Sequence, residues 1–129
     1  MKPKILLAED DLLLVDFLEE IISRLGYQIK TTSSGKNVLA MCQAEEFDVL
    51  ILDMLFPDED GINILRQLTK LPKKSNQIKI LAISGGGCGD FLSADFLLQM
   101  AKKRGATKIL HKPFSMAVFE KELKELIEK

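Results

Sequence analysis

Residues 48–61 read Asp-Val-Leu-Ile-Leu-Asp-Met-Leu-Phe-Pro-Asp-Glu-Asp-Gly. Val49 to Leu52 is an unbroken apolar run of strand-forming types. A strand apolar at every position is buried on both faces, which is the situation of a central strand in a parallel sheet. The run stops at a carboxylate, Asp53. Pro57 then disfavours helix at Phe56, and Asp60-Gly61 reads as a turn whose Asp caps the next helix. One carboxylate therefore stands at the carboxyl end of a central strand, where open α/β sheets bind ligands. An isolated Asp in such a place more often only starts a turn, so the other strand ends must decide.

Those ends are read off the rest of the chain. Lys4 to Glu9 carries the apolar core Ile5-Leu6-Leu7-Ala8 and runs into Glu9-Asp10-Asp11. Helical spacing of Leu14, Phe17, Leu18, Ile21, Ile22 and Leu25 predicts a helix over 12–25, stopped by Gly26. Tyr27 to Thr32 reads as a weaker strand, and Ser33-Ser34-Gly35 turns it into a second helix through Val38, Leu39 and Cys42. A third helix runs from Asp60 with Ile62, Leu65 and Leu68 on one face, ending before Pro72. Ile78 to Ser84 is the fourth strand. Gly85-Gly86-Gly87-Cys88-Gly89 follows as a loop, and Asp90 or Ser93 is placed to cap a helix to about Arg104, stopped by Gly105. Thr107 to Lys112 is the fifth strand. Ser115 caps a last helix whose stripe is Val118, Phe119, Leu123, Leu126 and Ile127. Five strands alternating with five helices predict an α/β, doubly wound parallel sheet. Parallel connections put Glu9, Asp10, Asp53, Ser84 and Lys112 on one edge.

Composition removes several alternatives. At 129 residues the chain is one domain's length, and 47% hydrophobic against 29% charged residues is an ordinary globular balance. Eighteen basic residues face 19 acidic ones for a net charge of −1, with no basic tract, so no nucleic-acid surface is expected. Nothing resembles a signal peptide or a membrane span, and no membrane partner is expected. Cys42 and Cys88 form no framework and no metal-ligand spacing, which suits a reduced cytoplasmic setting. The last helical pattern reaches residue 129, so one domain over 1–129 with no output domain is the expectation.

Three carboxylates converging with no basic partner between two of them repel one another, and a hard divalent cation among them relieves this. Asp11 reads instead as a helix-start residue. Because the edge also holds the Ser84 hydroxyl and the Lys112 ammonium, it suits a metal-bound tetrahedral anion, with Asp53 as the carboxylate nucleophile. Two other features are set aside. The glycine loop after the fourth strand lacks the third glycine of a dinucleotide fingerprint, and no acid ends the next strand. Cys88 has no basic neighbour to activate it, and His111 is read as a packing or surface residue.

Along its whole length the chain resembles the receiver domain of bacterial two-component response regulators. The resemblance rests on Glu9-Asp10 after strand one and Asp53-Met-Leu-Phe-Pro-Asp-Glu-Asp-Gly after strand three. It continues with Ser84 after strand four and Lys112-Pro113-Phe114 after strand five. It implies a (βα)5 flavodoxin-like fold with strand order 2-1-3-4-5, CheY-like. It further implies that Asp53 accepts a phosphoryl group from the phosphohistidine of a sensor histidine kinase or phosphotransfer protein. Mg²⁺, with Mn²⁺ as a substitute, would be held by Glu9, Asp10, Asp53 and the backbone carbonyl of Leu55. Ser84 and Lys112 would contact the phosphoryl group, and the Lys112-Pro113 bond would be cis. The implied protein is not a turnover enzyme. It is a monomer or weak phosphorylation-dependent dimer that addresses an unidentified downstream protein.

Four departures from the family pattern stand out. The first acid is Glu9 rather than the commoner Asp. Ile109 occupies the position three before Lys112 where Tyr or Phe is usual. The segment between Ser84 and Lys112 is longer, and Leu55 replaces a side chain that is often polar. With Ile109 stiff at its first torsion and glycine at four of the five positions after Ser84, the response is expected to run through residues 85–93 and the start of the fourth helix. Two other functions compete. An aspartyl phosphatase wants a general acid where Leu55 stands, and a phosphorylation-independent pseudo-receiver would have no use for the intact acids, Ser84 and Lys112.

Overall fold

The computed structural model describes residues 2–71, 78–85 and 94–128. The elements are β1 (Lys4–Ala8), α1 (Leu12–Arg24), β2 (Gln28–Thr32), α2 (Lys36–Ala44), β3 (Val49–Asp53), α3 (Gly61–Thr69), β4 (Lys79–Ser84), α4 (Ala94–Lys103), β5 (Lys108–His111) and α5 (Met116–Glu128). All strand pairings are parallel, in the order β2-β1-β3-β4-β5. The doubly wound fold and its strand order are therefore as expected. Residues 86–93, which include most of the glycine loop, Cys88 and the proposed caps Asp90 and Ser93, lie outside the described residues.

Two cores explain the two windings. Leu6, Ala8, Leu50, Leu52, Ile80 and Ala82 point to one face and pack with Val38, Ile64, Leu65, Leu68, Leu98 and Ala101 of α2, α3 and α4. Ile5, Leu7, Val49, Ile51, Leu81, Ile83 and Leu110 point to the other and meet Val15, Leu18, Ile21, Ile22, Phe119, Leu123 and Leu126 of α1 and α5. Side chains alternate across a strand with a period of two, so an all-apolar strand feeds both layers. Every residue of β3, Asp53 included, is buried.

Local signals set the element ends. Asp11 caps α1 by accepting from the Leu13 and Leu14 amides, and Asp60 caps α3 by accepting from Ile62. The Val118 amide donates to the Ser115 hydroxyl at the start of α5. Gly26 and Gly105 have positive φ, 85° and 114°, at the ends of α1 and α4. Strand ends differ by a residue from the sequence expectation. Tyr27 donates back to Ile22 at the end of α1, so β2 starts at Gln28. Thr107 and Lys112 bond to Ile80 and Ser84 as flanks of β5.

Two apolar stripes need correction. Phe17 is 38% exposed and Val118 44% exposed, because the α1 and α5 faces that meet the sheet are centred on Val15/Leu18/Ile22 and Phe119/Leu123/Leu126. Helical spacing finds a stripe but not its edges.

Gly61, the first residue of α3, is packed under the loop that joins β3 to α3. Its amide donates to the Met54 carbonyl at 3.3 Å. A Cβ there would lie 2.7 Å from Met54 Cα and 2.8 Å from its carbonyl oxygen, both backbone atoms. Gly61→Ala gains roughly 1 kcal/mol at most in helix propensity, but this overlap costs about 1–3 kcal/mol and outweighs it. Urea unfolding should show a net loss of stability for Gly61→Ala.

Candidate functional site

The same alternation that builds the two cores places the site. Glu9 follows Ile5 and Leu7, Asp53 follows Val49 and Ile51, and Lys112 follows Leu110. All three are therefore directed to the α1/α5 side at the carboxyl ends of β1, β3 and β5. Ser84 follows Ile80 and Ala82 and belongs to the opposite side, as does Ile109, which is paired with Ala82 and packed against the α2–α4 core.

Glu9 and Ser84 are 0% exposed and Asp53 4%. The Lys112 ammonium stands between the two acids, 2.8 Å from Glu9 Oε1 and 3.4 Å from Asp53 Oδ2. Glu9 Oε2 accepts the Asp11 amide at 3.0 Å, and Asp53 Oδ1 accepts the Leu55 amide at 3.1 Å. Asp53 thus accepts from one ammonium and one backbone amide, whereas Glu9 accepts the backbone amide and meets the ammonium as an ion pair. The expected repulsion between acids is partly relieved by Lys112, a pairing the sequence does not show. Ser84 Oγ has a long contact, 3.5 Å, with the Gly85 carbonyl. The Lys112-Pro113 bond is cis, as the family pattern implies.

Asp10 is exposed beside this pair, and oxygens of Glu9, Asp10 and Asp53 all lie within 4.8 Å of one another. Three carboxylates with one ammonium leave an excess of negative charge. The Asp53 carboxyl is pushed up to about 7, by burial first and by the Glu9 charge second, against the pull of Lys112. For Lys112, burial works toward neutrality, but bonding to Glu9 and the charges of Asp53 and Glu9 hold its ammonium above the ordinary lysine value. Oxygen donors of this kind, with an unmet demand for positive charge, fit a hard divalent cation. The pocket could therefore hold a metal. Leu55 is 42% exposed at the rim, bridged in antiparallel fashion to Asp60.

Of the residues named from the sequence, Glu9, Asp10, Asp53 and Lys112 come together and the Leu55 amide joins them at Asp53, whereas the Ser84 side chain contacts only the Gly85 carbonyl. One contact beside the site was missed. Asp58 reaches from the β3–α3 loop to the start of α2, bonding Ser34, Gly35 and Lys36. No local pattern announces a contact between residues more than twenty positions apart.

This edge and this topology define a receiver module. The response regulator receiver domain family matches residues 5–124, and the chain belongs to it. The chain is 28% identical over 126 residues to a probable transcriptional regulator, ycf27, of Cyanophora paradoxa, covering 98% of this chain and 48% of that protein. It thus spans about half the length of that curated relative. Among solved structures it is similar to the signal receiver domain of a response regulator from Bermanella marisrubri, at 26% identity and TM-score 0.81, over 98% of this chain and 99% of that one. A CheY-like receiver domain from Methylobacillus flagellatus matches at 25% identity and TM-score 0.78, over 98% and 99% of the two chains.

The raised Asp53 carboxyl makes stability depend on pH. Its ordinary value is 3.8 and its folded value about 7, so the folded chain binds this proton more tightly than the unfolded chain. Stability from this group is fullest below pH 4 and declines as pH rises toward 7. In metal-free buffer, Asp53→Asn should remove that decline and be the more stable protein at pH 8 by roughly 2–4 kcal/mol. Denaturant midpoints of both proteins from pH 5 to 8 check this, and parallel curves would contradict it.

Proposed function

We propose that the chain is a phosphoacceptor switch of a two-component phosphorelay. The observation that carries this reading is the meeting of Asp53, at the end of a fully buried central strand, with Lys112, Glu9 and Asp10. A carboxylate oxygen of Asp53 attacks the phosphorus of a phosphohistidine presented by a sensor histidine kinase or phosphotransfer protein. The new O–P bond forms as the P–N bond breaks, and the electron pair leaves with the imidazole nitrogen. Glu9, Asp10, Asp53 and the Leu55 carbonyl would hold Mg²⁺, or Mn²⁺ in its place. Bound there, the cation supplies positive charge to the oxygens of the transferring group.

The chain's own groups do the rest. The Leu55 amide, bonded to Asp53 Oδ1, fixes the orientation of the carboxyl and leaves Oδ2 toward Lys112. Lys112 is close enough to follow the charge from the carboxylate to a phosphoryl oxygen. Ser84 gives up only a long contact with Gly85 when its hydroxyl turns to donate to that group, and a charge-assisted bond is the stronger of the two. Leu55 offers no acid to protonate or activate a leaving oxygen, so we read the protein as a switch that hydrolyses its own phosphoryl group slowly rather than as a turnover phosphatase.

The altered surface is offered to an unidentified downstream protein, with the chain monomeric or weakly dimeric when phosphorylated. No described helix is long and apolar enough to cross a membrane. A cytoplasmic location without nucleic-acid or membrane contacts is the setting we propose.

Incubation with Mg²⁺ and a small acyl phosphate donor, followed by intact mass measurement, tests the reading. One phosphoryl adduct on the native chain and none on Asp53→Asn is the expected result. An adduct that persists on Asp53→Asn moves the acceptor elsewhere. Continuous release of phosphate would favour a phosphatase, and no adduct at all a pseudo-receiver.

A second expectation concerns lifetime. The apolar Leu55 side chain at the rim cannot orient a water toward the acyl phosphate. Leu55→Asn should therefore shorten the half-life of the phosphorylated chain about tenfold, below the roughly 10²–10⁴ of a full general base because Asn orients water without taking its proton. Equal decay of the two proteins would remove Leu55 from the account.

A further inference from the structure

Helix α2 begins without a side-chain cap of its own. Its N-cap residue is Gly35, at φ −62° and ψ −31°, so the first amides of the helix need acceptors from elsewhere. Asp58 of the β3–α3 loop provides them. The Gly35 amide donates to its Oδ1 at 3.0 Å and the Lys36 amide to Oδ2 at 3.4 Å, while the Ser34 hydroxyl also donates to Oδ2. The Ser34 bond, helped by the Gly35 and Lys36 amides, keeps the Asp58 carboxyl below its ordinary value.

A second observation concerns the same contact. A Cβ on Gly35 would stand 3.0 Å from Glu59 Cβ and 3.1 Å from the Phe56 ring. The φ of Gly35 is one any residue adopts, so what a side chain there would meet is the close loop and not a backbone constraint. Residues 56, 58 and 59 are therefore all pressed or bonded onto the start of α2. The same loop carries Leu55, whose amide holds Asp53, and is closed by the Leu55–Asp60 bridge.

We propose that Asp58 is a positioning residue of the acceptor site. By tying the loop to the amino end of α2 it sets where Leu55 stands relative to Asp53, and thereby how well the site holds a divalent cation. The proposal rests on the metal-assisted reading given above. It makes α2, which contributes none of the site residues, part of the support of the acceptor.

The test titrates Mg²⁺ into the full native chain and into Asp58→Ala, Asp58→Asn and Gly35→Ala, at a temperature where circular dichroism shows each folded. Amide hydrogen exchange at Leu55 and Gly61 is followed in the same proteins without metal. Asp58→Ala should bind Mg²⁺ about tenfold more weakly, the usual loss when the support of a ligand is removed, and exchange faster at both amides. Asp58→Asn keeps an acceptor for one amide and should fall between. Gly35→Ala, which pushes the loop from the other side with Asp58 intact, should also weaken Mg²⁺ binding. Should Asp58→Ala fail to fold, Asp58→Asn and Gly35→Ala carry the same comparison. If the Asp58 variants lose melting temperature but keep native Mg²⁺ affinity and native exchange at Leu55 and Gly61, Asp58 is a helix cap alone and the proposal is overturned. A native chain that takes up no Mg²⁺ overturns the metal reading instead, and unchanged Leu55 exchange in Asp58→Ala would then overturn the positioning role by itself.

Discussion

The Lys112 ammonium, held 2.8 Å from Glu9 and 3.4 Å from Asp53, is the contact that lets two buried acids share the end of the sheet. Removing a buried charge from water costs several kcal/mol even after the protein relaxes, and two like charges close together add to that cost. Lys112 offsets part of it, and the Asp11 and Leu55 amides offset more. What they leave uncompensated is visible in the raised Asp53 carboxyl. The site is thus short of positive charge by construction. A site fully satisfied by its own residues would have no affinity for a cation and no reason to accept an anion carried by one.

The sheet makes this arrangement possible because its period of two sorts functions by face. Glu9, Asp53 and Lys112 continue the inward rows of the α1/α5 core, whereas Ser84 and Ile109 continue those of the α2–α4 core. A group bound at the edge is therefore approached from both layers. Parallel topology supplies the shared edge, and the complete burial of β3 keeps Asp53 from being an ordinary surface acid. Fold and chemistry depend on the same run of residues, 49–53.

Most of this was legible from the chain because it follows from periodicity and end signals. The apolar runs gave strands, Asp11, Asp60 and Ser115 gave helix starts, and Gly26 and Gly105 gave stops. Once the strands were parallel, the site residues could only gather at one edge. Three kinds of feature stayed hidden. Pairing within the edge is a matter of side-chain reach, so nothing in the sequence says that Lys112 goes nearer to Glu9 than to Asp53. Long-range capping is invisible for the same reason. Gly35 reads as a turn residue, yet the β3–α3 loop also lies close on it, with Asp58 capping α2 across more than twenty residues. The exposure of Phe17 and Val118 depends on where each helix sits on the sheet, which spacing does not determine.

Ile109 raises the question of how a change at the edge reaches the rest of the molecule. It is β-branched, paired with Ala82 and half-buried against the α2–α4 core, so its side chain has few rotamers to exchange. A different connection is built into the edge. A Cβ on Gly85 would meet Lys112 Cβ at 3.1 Å and Cδ at 3.2 Å, and the Lys112 amide donates to the Ser84 carbonyl at 2.8 Å. The stem of Lys112 therefore lies directly on the residue that follows β4. On the proposed phosphoryl transfer, a shift of the ammonium from Glu9 toward an anion on Asp53 would press its stem against Gly85, and a turn of the Ser84 hydroxyl would fall on the adjacent residue. Both displacements would act on the same short piece of backbone. Of the segment expected to respond, 85–93, Gly85 is the residue within the described structure, and it is in contact with Lys112 and adjacent to Ser84. An aromatic side chain at 109 would offer a second route. With isoleucine there, the proposed switch would have to work through the junction between β4 and the residue after it.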